Sequence, residues 1–314
     1  MNNMERDLGT IENFEAIIER ARKTGPRRVC VASAGDPELL QAVKQACDMG
    51  LIYPILTGKS EEIAACAKSC GLREYDAFQC SGPEEAAKAA VTMVREGRAD
   101  ILMKGSVNTS VFMRAVLNRE QGLRAGGLVS LLAVYELPGY PKLIFATDSG
   151  VNPAPDLEQK KEILKNALTA MKRIGVEDPK VAMLTANEMV DPKITSTVDA
   201  AALVQFADSG QCPPCTAEGP VAFDVAFDPA AAAHKGIDSR ISGKVDLILF
   251  PNMETGNALG KSWLYFNRAK WAGIVLGAAK PVILGSRSDS AAVKINSIAL
   301  GCLAAGEQER EETR

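Results

Sequence analysis

The feature that most restricts the fold of this chain is a repeated alternation of short apolar, β-branched runs with longer amphipathic stretches. Such alternation predicts a mostly parallel sheet with helices on both faces, an α/β fold. Strands are predicted at Val29–Ser33, Ile52–Thr57, Ala99–Lys104, Lys142–Thr147, Lys180–Thr185, Val221–Phe227, Val245–Phe250 and Val282–Gly285. Because open α/β sheets bind ligands beyond the carboxyl ends of their strands, functional residues are expected in the turns that follow these strands.

Helices are predicted between the strands from capping residues and apolar spacing. Asp36 and Pro37 form the cap and first residue of one helix, which should end at Gly50. Asp156 should cap a long helix whose apolar residues repeat every 3.6 positions up to Gly175. Further helices are predicted at about Thr10–Lys23, Thr109–Asn118, Thr195–Ala207, Asn257–Leu276 and Asp289–Ala305.

Length and charge exclude several classes of protein. A chain of 314 residues predicts about two domains. The formal net charge of −3 argues against a nucleic-acid partner, which would normally require a basic excess. No uncharged run reaches the roughly 18 residues of a membrane span, and the charged N-terminus does not resemble a secretory signal. A cytoplasmic protein with no membrane partner is therefore expected.

Cysteine and histidine usage limits the possible chemistry. The eight cysteines are expected to be reduced thiols, and the pair Cys212 and Cys215 is interpreted as a turn rather than a zinc site. His234 is the single histidine, and no G-x-S-x-G motif is present. The sequence therefore predicts no metal centre and no catalysis that depends on histidine.

Three turns that follow predicted strands are rich in small polar residues. They are Lys104–Ser110, Thr147–Pro153 and Gly285–Ser290, and the first and third also carry a cation. Free amides at a helix start, joined by a lysine or arginine, suit a phosphorylated or other anionic ligand. Ordinary helix capping by Ser, Thr, Asn and Asp is the alternative interpretation.

The segment Thr255–Ser262 comes close to a phosphate-binding loop but departs from it. The Walker A pattern is G-x-x-x-x-G-K-[ST], and Thr255 stands where the first glycine belongs. A glycine-rich helix start for another ligand is the preferred interpretation. No G-x-G occurs in the chain, so the dinucleotide fingerprint is absent.

At these same residues the chain resembles the phosphate acetyltransferase and phosphate butyryltransferase family. The resemblance covers about 29–300, in order, through the segments Leu102–Glu120, Thr147–Ala167, Ala186–Leu203, Gly219–Phe227, Pro251–Trp263 and Lys280–Ser290. The Ser-Arg-Ser-Asp run at 286–289 and the Asn-Ala-Leu-Gly-Lys run at 257–261 are closer to the butyryl branch.

The resemblance implies transfer of a short acyl group between coenzyme A and inorganic phosphate, without a metal or other cofactor. Butyryl-CoA is the implied thioester, with acetyl-CoA as the alternative. The implied fold has two α/β/α domains with an inter-domain cleft, as in isocitrate and isopropylmalate dehydrogenases. Domain I would comprise 1–130 and 282–314, and domain II 131–281. The family also implies a homodimer or larger homo-oligomer.

The resemblance also implies roles for individual residues. Arg287 would grip phosphate, and Ser286 would lie near the sulfur. The acetyl branch has an aspartate, proposed as the thiol base, six positions after the arginine, but Val293 stands there in this chain. Asp289 is the nearest candidate base, with a helix N-cap as the equal alternative.

Further residues complete the predicted substrate site. The phosphate and carbonyl pocket is expected to be formed by Lys104, Ser106, Thr109 and Asn257. Asp148 and Asn152 are expected to border it. Lys261 is expected to bind a phosphate group of coenzyme A.

Three other functions stay open at this point. A metal- and nicotinamide-dependent decarboxylating dehydrogenase would need convergent aspartates, and no single turn supplies them. A P-loop nucleotide binder is weakened by Thr255. A non-catalytic protein that binds coenzyme A or phosphate is the third. The preferred acyl chain cannot be read from the sequence.

Overall fold

The computed structural model describes residues 11–285 and 289–306. Within them the helices are α1 Phe14–Lys23, α2 Pro37–Asp48, α3 Ser60–Cys70, α4 Pro83–Arg95, α5 Thr109–Val116, α6 Leu157–Ile174, α7 Thr195–Asp208, α8 Phe223–Phe227, α9 Pro229–His234, α10 Met253–Phe266 and α11 Ala291–Ala304. The strands are β1 Arg27–Ala32, β2 Ile52–Gly58, β3 Asp76–Gln79, β4 Ile101–Lys104, β5 Ser130–Glu136, β6 Ile144–Thr147, β7 Lys180–Leu184, β8 Thr216–Val221, β9 Leu247–Leu249, β10 Lys270–Leu276 and β11 Val282–Ile283.

The chain divides into two compact units. One, called here the Lys104 unit, contains Ile17–Ala133 and the described residues from Trp271 onward. The other, called the Asp148 unit, contains 11–16 and Val134–Lys270. Compact units are not by themselves independently folding domains, so the boundaries expected from the sequence, 1–130 with 282–314 and 131–281, remain a prediction.

The sheet of the Lys104 unit has the strand order β3-β2-β1-β4-β11-β10. Its first five strands pair in parallel, and β10 pairs antiparallel with β11. In register, Ala32 faces Lys104, and Met103 faces Ile283. The carboxyl ends of β1, β4 and β11 therefore meet at one edge, where α/β sheets bind ligands.

The strands of the Asp148 unit have the order β5-β6-β9-β7-β8, and β5 belongs to this unit from Val134 onward. Strands β6, β9, β7 and β8 run parallel, and Leu249 of β9 lies between Thr147 of β6 and Met183 of β7. The turn after β6 and the start of α10 after β9 thus share one edge. The predicted mostly parallel α/β fold is confirmed by this sheet and by that of the Lys104 unit.

The predicted helix starts at Asp36 and Asp156 are confirmed. The Asp36 carboxylate accepts from the Leu39 amide, and Asp156 forms a reciprocal capping box with Gln159. Helix α6 is capped by Gly175, whose φ of 98° is the left-handed conformation that glycine adopts without a Cβ penalty. Local capping chemistry therefore sets these boundaries.

Two predicted elements are wrong. Val221–Phe227 was expected as a strand, but the strand ends at Val221 and Phe223–Phe227 is a short helix. Asn257–Leu276 was expected as one helix, but α10 ends at Phe266 and Lys270–Leu276 is the buried strand β10. A short apolar run fits a buried strand as well as a helix, so its periodicity did not separate the two.

None of the helices found in the described ranges has the length and apolar character needed to cross a membrane.

Candidate active site

A small pocket lies at the carboxyl ends of β1, β4 and β11 in the Lys104 unit. Its volume is about 20 Å³, which admits a group the size of a water molecule. The described lining residues are Asp36, Leu39, Met103, Lys104, Gly105, Ser106, Gly285 and Lys294. Two predicted substrate-binding residues, Lys104 and Ser106, therefore lie together at the edge where the topology predicts a ligand.

Lys104 is the last residue of β4, and its side chain is buried with 5% of its surface exposed. Its Nζ donates to the main-chain carbonyls of Gly105 at 3.3 Å and Val107 at 3.2 Å. The turn that follows β4 thus folds around the ammonium group and holds its charge beside the pocket.

The amides of this turn are used by the protein itself. Gly105 N donates to the Ala32 carbonyl at 2.9 Å, and Ser106 N donates to the Ser33 carbonyl at 2.8 Å. Those carbonyls lie so close that a Cβ on Gly105 would stand 2.5 Å from the Ser33 oxygen and 2.6 Å from the Ala32 oxygen. The amides of Gly105 and Ser106 are therefore not free to bind an anion, contrary to what the sequence suggested.

Thr109 is the first residue of α5 and is exposed. The helix is capped by Asn108, whose Oδ1 accepts from the Ser110 amide at 2.9 Å and the Ser110 hydroxyl at 2.8 Å. Thr109 therefore belongs to the same turn as Lys104 and Ser106 but is not among the residues that line the pocket.

Asp289 does not cap α11, because Ser290 does. The Ser290 hydroxyl accepts from the Val293 amide at 3.4 Å. The Asp289 Oδ2 lies 3.8 Å from the position a Cβ would take on Gly285, so its carboxylate is beside a pocket residue. Of the two interpretations of Asp289, the helix cap is wrong, and the role of thiol base stays a prediction.

Arg287 and Ser286 lie outside the described residues, and their roles stay predictions.

The sequence reasoning missed two charged residues of the pocket. Lys294 is 6% exposed and lies one turn into α11. Asp36 also lines the pocket, and its Oδ1 accepts from the Leu39 amide at 2.7 Å. The available signal for Lys294 was a lysine on an otherwise apolar helix face, whose neighbours Ile295 and Ile298 are buried.

Asp148 organises the turn after β6 in the Asp148 unit. One carboxylate oxygen accepts from the amides of Gly150 at 2.8 Å and Val151 at 3.0 Å. The other accepts from the Asn152 amide at 3.1 Å and its Nδ2 at 2.6 Å. Two oxygens provide about four acceptor sites, so this carboxylate is saturated by its own turn. Asp148 and Asn152 therefore act together to shape the turn.

Asn257 and Lys261 lie one turn apart on α10, and both are exposed. The Asn257 Nδ2 donates to the main-chain carbonyl of Ser149 at 3.3 Å, which joins this helix to the Asp148 turn. Asp148, Asn152 and Asn257 therefore lie together in one unit. Lys104, Ser106 and Thr109 lie in the other.

The near-match to a phosphate-binding loop is part of α10. Residues Met253–Phe266 are helical and begin after the cap Asn252, so Thr255–Ser262 forms no loop around a phosphate. The two glycines serve packing instead. A Cβ on Gly256 would lie 2.5 Å from the Phe250 ring, and one on Gly260 would lie 2.2 Å from the Tyr135 hydroxyl. The P-loop interpretation is therefore wrong.

Tyr135 supports this helix from β5. Its ring lies edge-on to Trp263 with centroids 5.0 Å apart. Burial raises the pKa of Tyr135 to about 12, although a hydrogen bond with Ser149 opposes the shift. The phenol therefore stays protonated at neutral pH and acts as a packing and hydrogen-bonding group beside the turn.

The Cys212 and Cys215 thiols share a hydrogen bond, and burial raises the pKa of both, that of Cys215 to about 12. Within 11–285 and 289–306, no group of three or more His, Cys, Asp and Glu side chains has the arrangement needed to hold a metal ion.

Comparison with known proteins shows which family this sequence matches. Residues 81–302 match the family model described as "Phosphate acetyl/butaryl transferase". The chain is 41% identical to the phosphate butyryltransferase of Clostridium acetobutylicum, over 94% of this chain and 99% of that protein. It is 38% identical to the phosphate acetyltransferase of Rhizobium meliloti, over 92% of each.

A solved structure has the same fold. It is a branched-chain phosphotransacylase from Enterococcus faecalis V583, with a TM-score of 0.78 and 30% sequence identity. The alignment covers 90% of this chain and all of that one.

Proposed function

This chain belongs to the phosphate acetyl/butaryl transferase family, and on that premise we propose that it transfers a short acyl group between coenzyme A and inorganic phosphate. The proposed reaction converts butyryl-CoA and phosphate into butyryl phosphate and coenzyme A. The similarity to a phosphate butyryltransferase over nearly the whole chain supports the butyryl group. Acetyl-CoA is the alternative, supported by the similarity to a phosphate acetyltransferase.

The chemistry requires an anion site beside a thioester carbonyl. A phosphate oxygen forms a bond to the carbonyl carbon, and negative charge develops on the carbonyl oxygen. The carbon–sulfur bond then breaks, and sulfur leaves with the electron pair as a thiolate, which later takes up a proton. Preorganised donors at such developing charges are typically worth about 3–4 kcal/mol each.

The observation that carries this proposal is the pocket where Lys104 and Ser106 meet at the carboxyl ends of three parallel strands. The Lys104 side chain is buried beside this pocket, and its Nζ donates to the main-chain carbonyls of Gly105 and Val107. A cation in this position would attract an anion that enters the pocket. Lys104 would hold a phosphate oxygen, and the Ser106 hydroxyl would donate to the same group.

Arg287 and Ser286 complete the proposal at the third turn. Arginine presents a planar pair of donors that matches phosphate and keeps its proton at any working pH. Ser286 would lie near the sulfur. Asp289, whose carboxylate lies beside Gly285, would exchange the thiol proton in the reverse direction. A thiol with a pKa near 8.5 is only a few per cent ionised at neutral pH, so this proton transfer would raise the rate.

Other residues that the family resemblance implies would bind the rest of the substrates. Thr109 and Asn257 would donate to the phosphate or the carbonyl oxygen. Asn152 would border the site on the turn that the Asp148 carboxylate holds in shape. The exposed Lys261 would bind a phosphate group of coenzyme A.

The remaining family features are part of the same proposal. The two units would correspond to the two α/β/α domains of an isocitrate dehydrogenase-like fold, and the protein would form a homodimer or larger homo-oligomer. No metal or prosthetic group is required, because the thioester already carries the electrophile and phosphate supplies the nucleophile. Full activity in the presence of a chelator would support this, and a requirement for Mg²⁺ and a nicotinamide cofactor would favour the dehydrogenase.

A thiol-release assay tests the function directly. The purified chain is mixed with phosphate and acetyl-, propionyl-, butyryl- or isobutyryl-CoA, and free thiol is measured over time. We expect phosphate-dependent release with the highest kcat/KM for butyryl-CoA, and sulfate in place of phosphate is the control. Binding of acyl-CoA with no release for any chain would instead indicate a non-catalytic binding protein.

A further inference from the structure

We propose that Tyr135 is a positioning residue for the proposed reaction: its hydroxyl holds Ser149, and Ser149 in turn orients the side-chain amide of Asn257. This inference rests on the proposed function and deepens it, because Asn257 is one of the proposed donors to the phosphate or the carbonyl oxygen. Neither the sequence pattern nor the resemblance pointed to Tyr135. Its assignment comes from the contacts among β5, the turn after β6 and α10, all within the Asp148 unit.

Ser149 is the link between Tyr135 and Asn257. Its hydroxyl shares a hydrogen bond with the Tyr135 hydroxyl. Its main-chain carbonyl accepts from Asn257 Nδ2 at 3.3 Å. Ser149 is 6% exposed, so water does not readily replace either partner. The residue is therefore held from β5 through its side chain and holds α10 through its main chain.

Two glycines of α10 let the three residues approach one another. Gly256 and Gly260 are four positions apart and lie on one face of the helix. A Cβ on Gly256 would stand 2.9 Å from the Ser149 Cβ, and one on Gly260 would collide with the Tyr135 hydroxyl. The glycines of the segment that came close to a phosphate-binding loop therefore serve the packing of Ser149 and Tyr135.

Tyr135 acts through Ser149 and not on the substrate itself. Its side chain is 4% exposed, and its ring packs edge-on against Trp263. The hydroxyl is covered by α10 at Gly260. Burial raises the pKa of Tyr135 to about 12, so the phenol keeps its proton at neutral pH. A buried, neutral hydroxyl can orient a neighbouring residue, whereas proton transfer to a substrate would require exposure.

The Asn257 amide gains a fixed direction from these contacts. Its Nδ2 carries two hydrogens, and one of them is directed to the Ser149 carbonyl. Asn257 is exposed, so this bond decides where the second hydrogen points. A donor that is oriented before the substrate binds stabilises developing charge without a cost of reorganisation. Loss of the Tyr135 hydroxyl would free Ser149 to shift and let Asn257 turn to solvent.

A second tyrosine of the same unit provides a matched control. The Tyr140 hydroxyl donates to the main-chain carbonyl of Val245 at 2.8 Å, and its ring packs edge-on against Phe227. Val245 precedes β9, whereas α10 follows it, so this bond lies at the opposite end of that strand. Tyr140→Phe therefore removes one hydroxyl hydrogen bond, as Tyr135→Phe does, but leaves Ser149 untouched.

The experiment compares kcat for phosphate-dependent thiol release in wild type, Tyr135→Phe and Tyr140→Phe. We expect kcat to fall about ten- to thirtyfold in Tyr135→Phe, because a misplaced donor loses part of its contact with the transition state. In Tyr140→Phe, kcat should change less than about twofold. Asn257→Ala should also lower kcat, and adding Tyr135→Phe to it should change kcat by no more than about twofold, because the two residues act as one unit.

An unchanged kcat in a folded Tyr135→Phe variant would overturn the proposal. So would an equal fall in Tyr135→Phe and Tyr140→Phe, since that pattern is expected of any hydroxyl that only stabilises the fold. Independent effects of Tyr135→Phe and Asn257→Ala, which multiply in the double variant, would show that Tyr135 does not act through Asn257.

Side-chain NMR gives a readout that does not depend on activity. Asparagine is labelled with ¹⁵N, and the Asn257 side-chain signal is identified by its loss in Asn257→Ala. We expect this signal to move in Tyr135→Phe and to stay in place in Tyr140→Phe. An unmoved signal in Tyr135→Phe would refute the inference whatever the activity. If the signal moves but wild type transfers no acyl group, the proposed function fails, while the orientation of Asn257 by Tyr135 stands.

Discussion

The substitution Asp148→Asn tests whether one carboxylate holds the turn after β6 in shape. The side chain is 3% exposed and accepts four hydrogen bonds, two on each oxygen. Asparagine has nearly the same shape but one oxygen and one NH₂ group. Whichever way the amide is turned, two of the four donors face another donor in place of an acceptor.

The expected cost follows from those two lost acceptors. A hydrogen bond to a charged group contributes about 1.5–3 kcal/mol, so two amount to roughly 3–6 kcal/mol. The Asn152 side chain is only half-buried and can turn to water, which recovers part of this. We therefore expect a loss of about 2–4 kcal/mol in the free energy of unfolding, and a fall in Tm of roughly 4–12 °C.

Urea unfolding followed by circular dichroism measures this loss. The matched control is Asp156→Asn at the cap of α6, where Asp156 Oδ1 accepts one amide hydrogen bond from Gln159 at 2.9 Å. Asparagine caps helices about as well as aspartate, so this control should change stability by less than about 0.5 kcal/mol. An Asp148→Asn variant as stable as the control would refute the assigned role of the carboxylate.

Three further predictions concern other parts of the chain. Arg287→Gln should lower turnover at least about a hundredfold while the fold is kept, and a rate near that of wild type would remove Arg287 from the mechanism. Gly105→Ala should lower the free energy of unfolding, measured in urea, by about 1–3 kcal/mol, because the new Cβ would lie 2.5 Å from the Ser33 carbonyl oxygen. A variant as stable as wild type would contradict this close approach. Burial raises the pKa of Asp100, but hydrogen bonds from Arg28 outweigh it and hold that pKa below its ordinary value of 3.8. The stability from this pair is therefore present above pH 3.8 and lost as the pH falls through the lower pKa of the folded state. In Asp100→Asn, the free energy of unfolding should fall less steeply at acid pH than in wild type. If the two proteins lose stability in parallel as the pH falls, the Asp100–Arg28 pair does not contribute in this way.

The sheet was predictable where strands are apolar and bounded by clear capping residues. Strand β4 ends at Lys104, as expected, and Asp36 begins α2. Strand β3, Asp76–Gln79, was missed because it has only four residues, of which two are apolar, which is too short for a clear pattern. Strand β10 was assigned to a helix because its apolar run Trp271–Leu276 fits both structures.

The location of the candidate site was predictable from the sequence, but the use of its main-chain amides was not. Strand ends and polar turns located Lys104 and Ser106 from local sequence alone. The amides of Gly105 and Ser106 donate to the carbonyls of Ala32 and Ser33, which lie about seventy residues earlier in the chain. A local sequence pattern does not reveal such distant partners. Lys294 was missed for the same reason, since only the packing of α11 brings it to the pocket.

The measurement that tests the central claim most directly is the appearance of an acyl phosphate. Butyryl-CoA and inorganic phosphate are incubated with the protein, and ³¹P NMR follows the phosphorus while free thiol is counted in parallel. The account predicts one butyryl phosphate for each thiol released, and loss of both in Arg287→Gln. Thiol release that yields butyrate with no phosphorus-containing product would mean that water is the acceptor, and would contradict phosphate as the nucleophile.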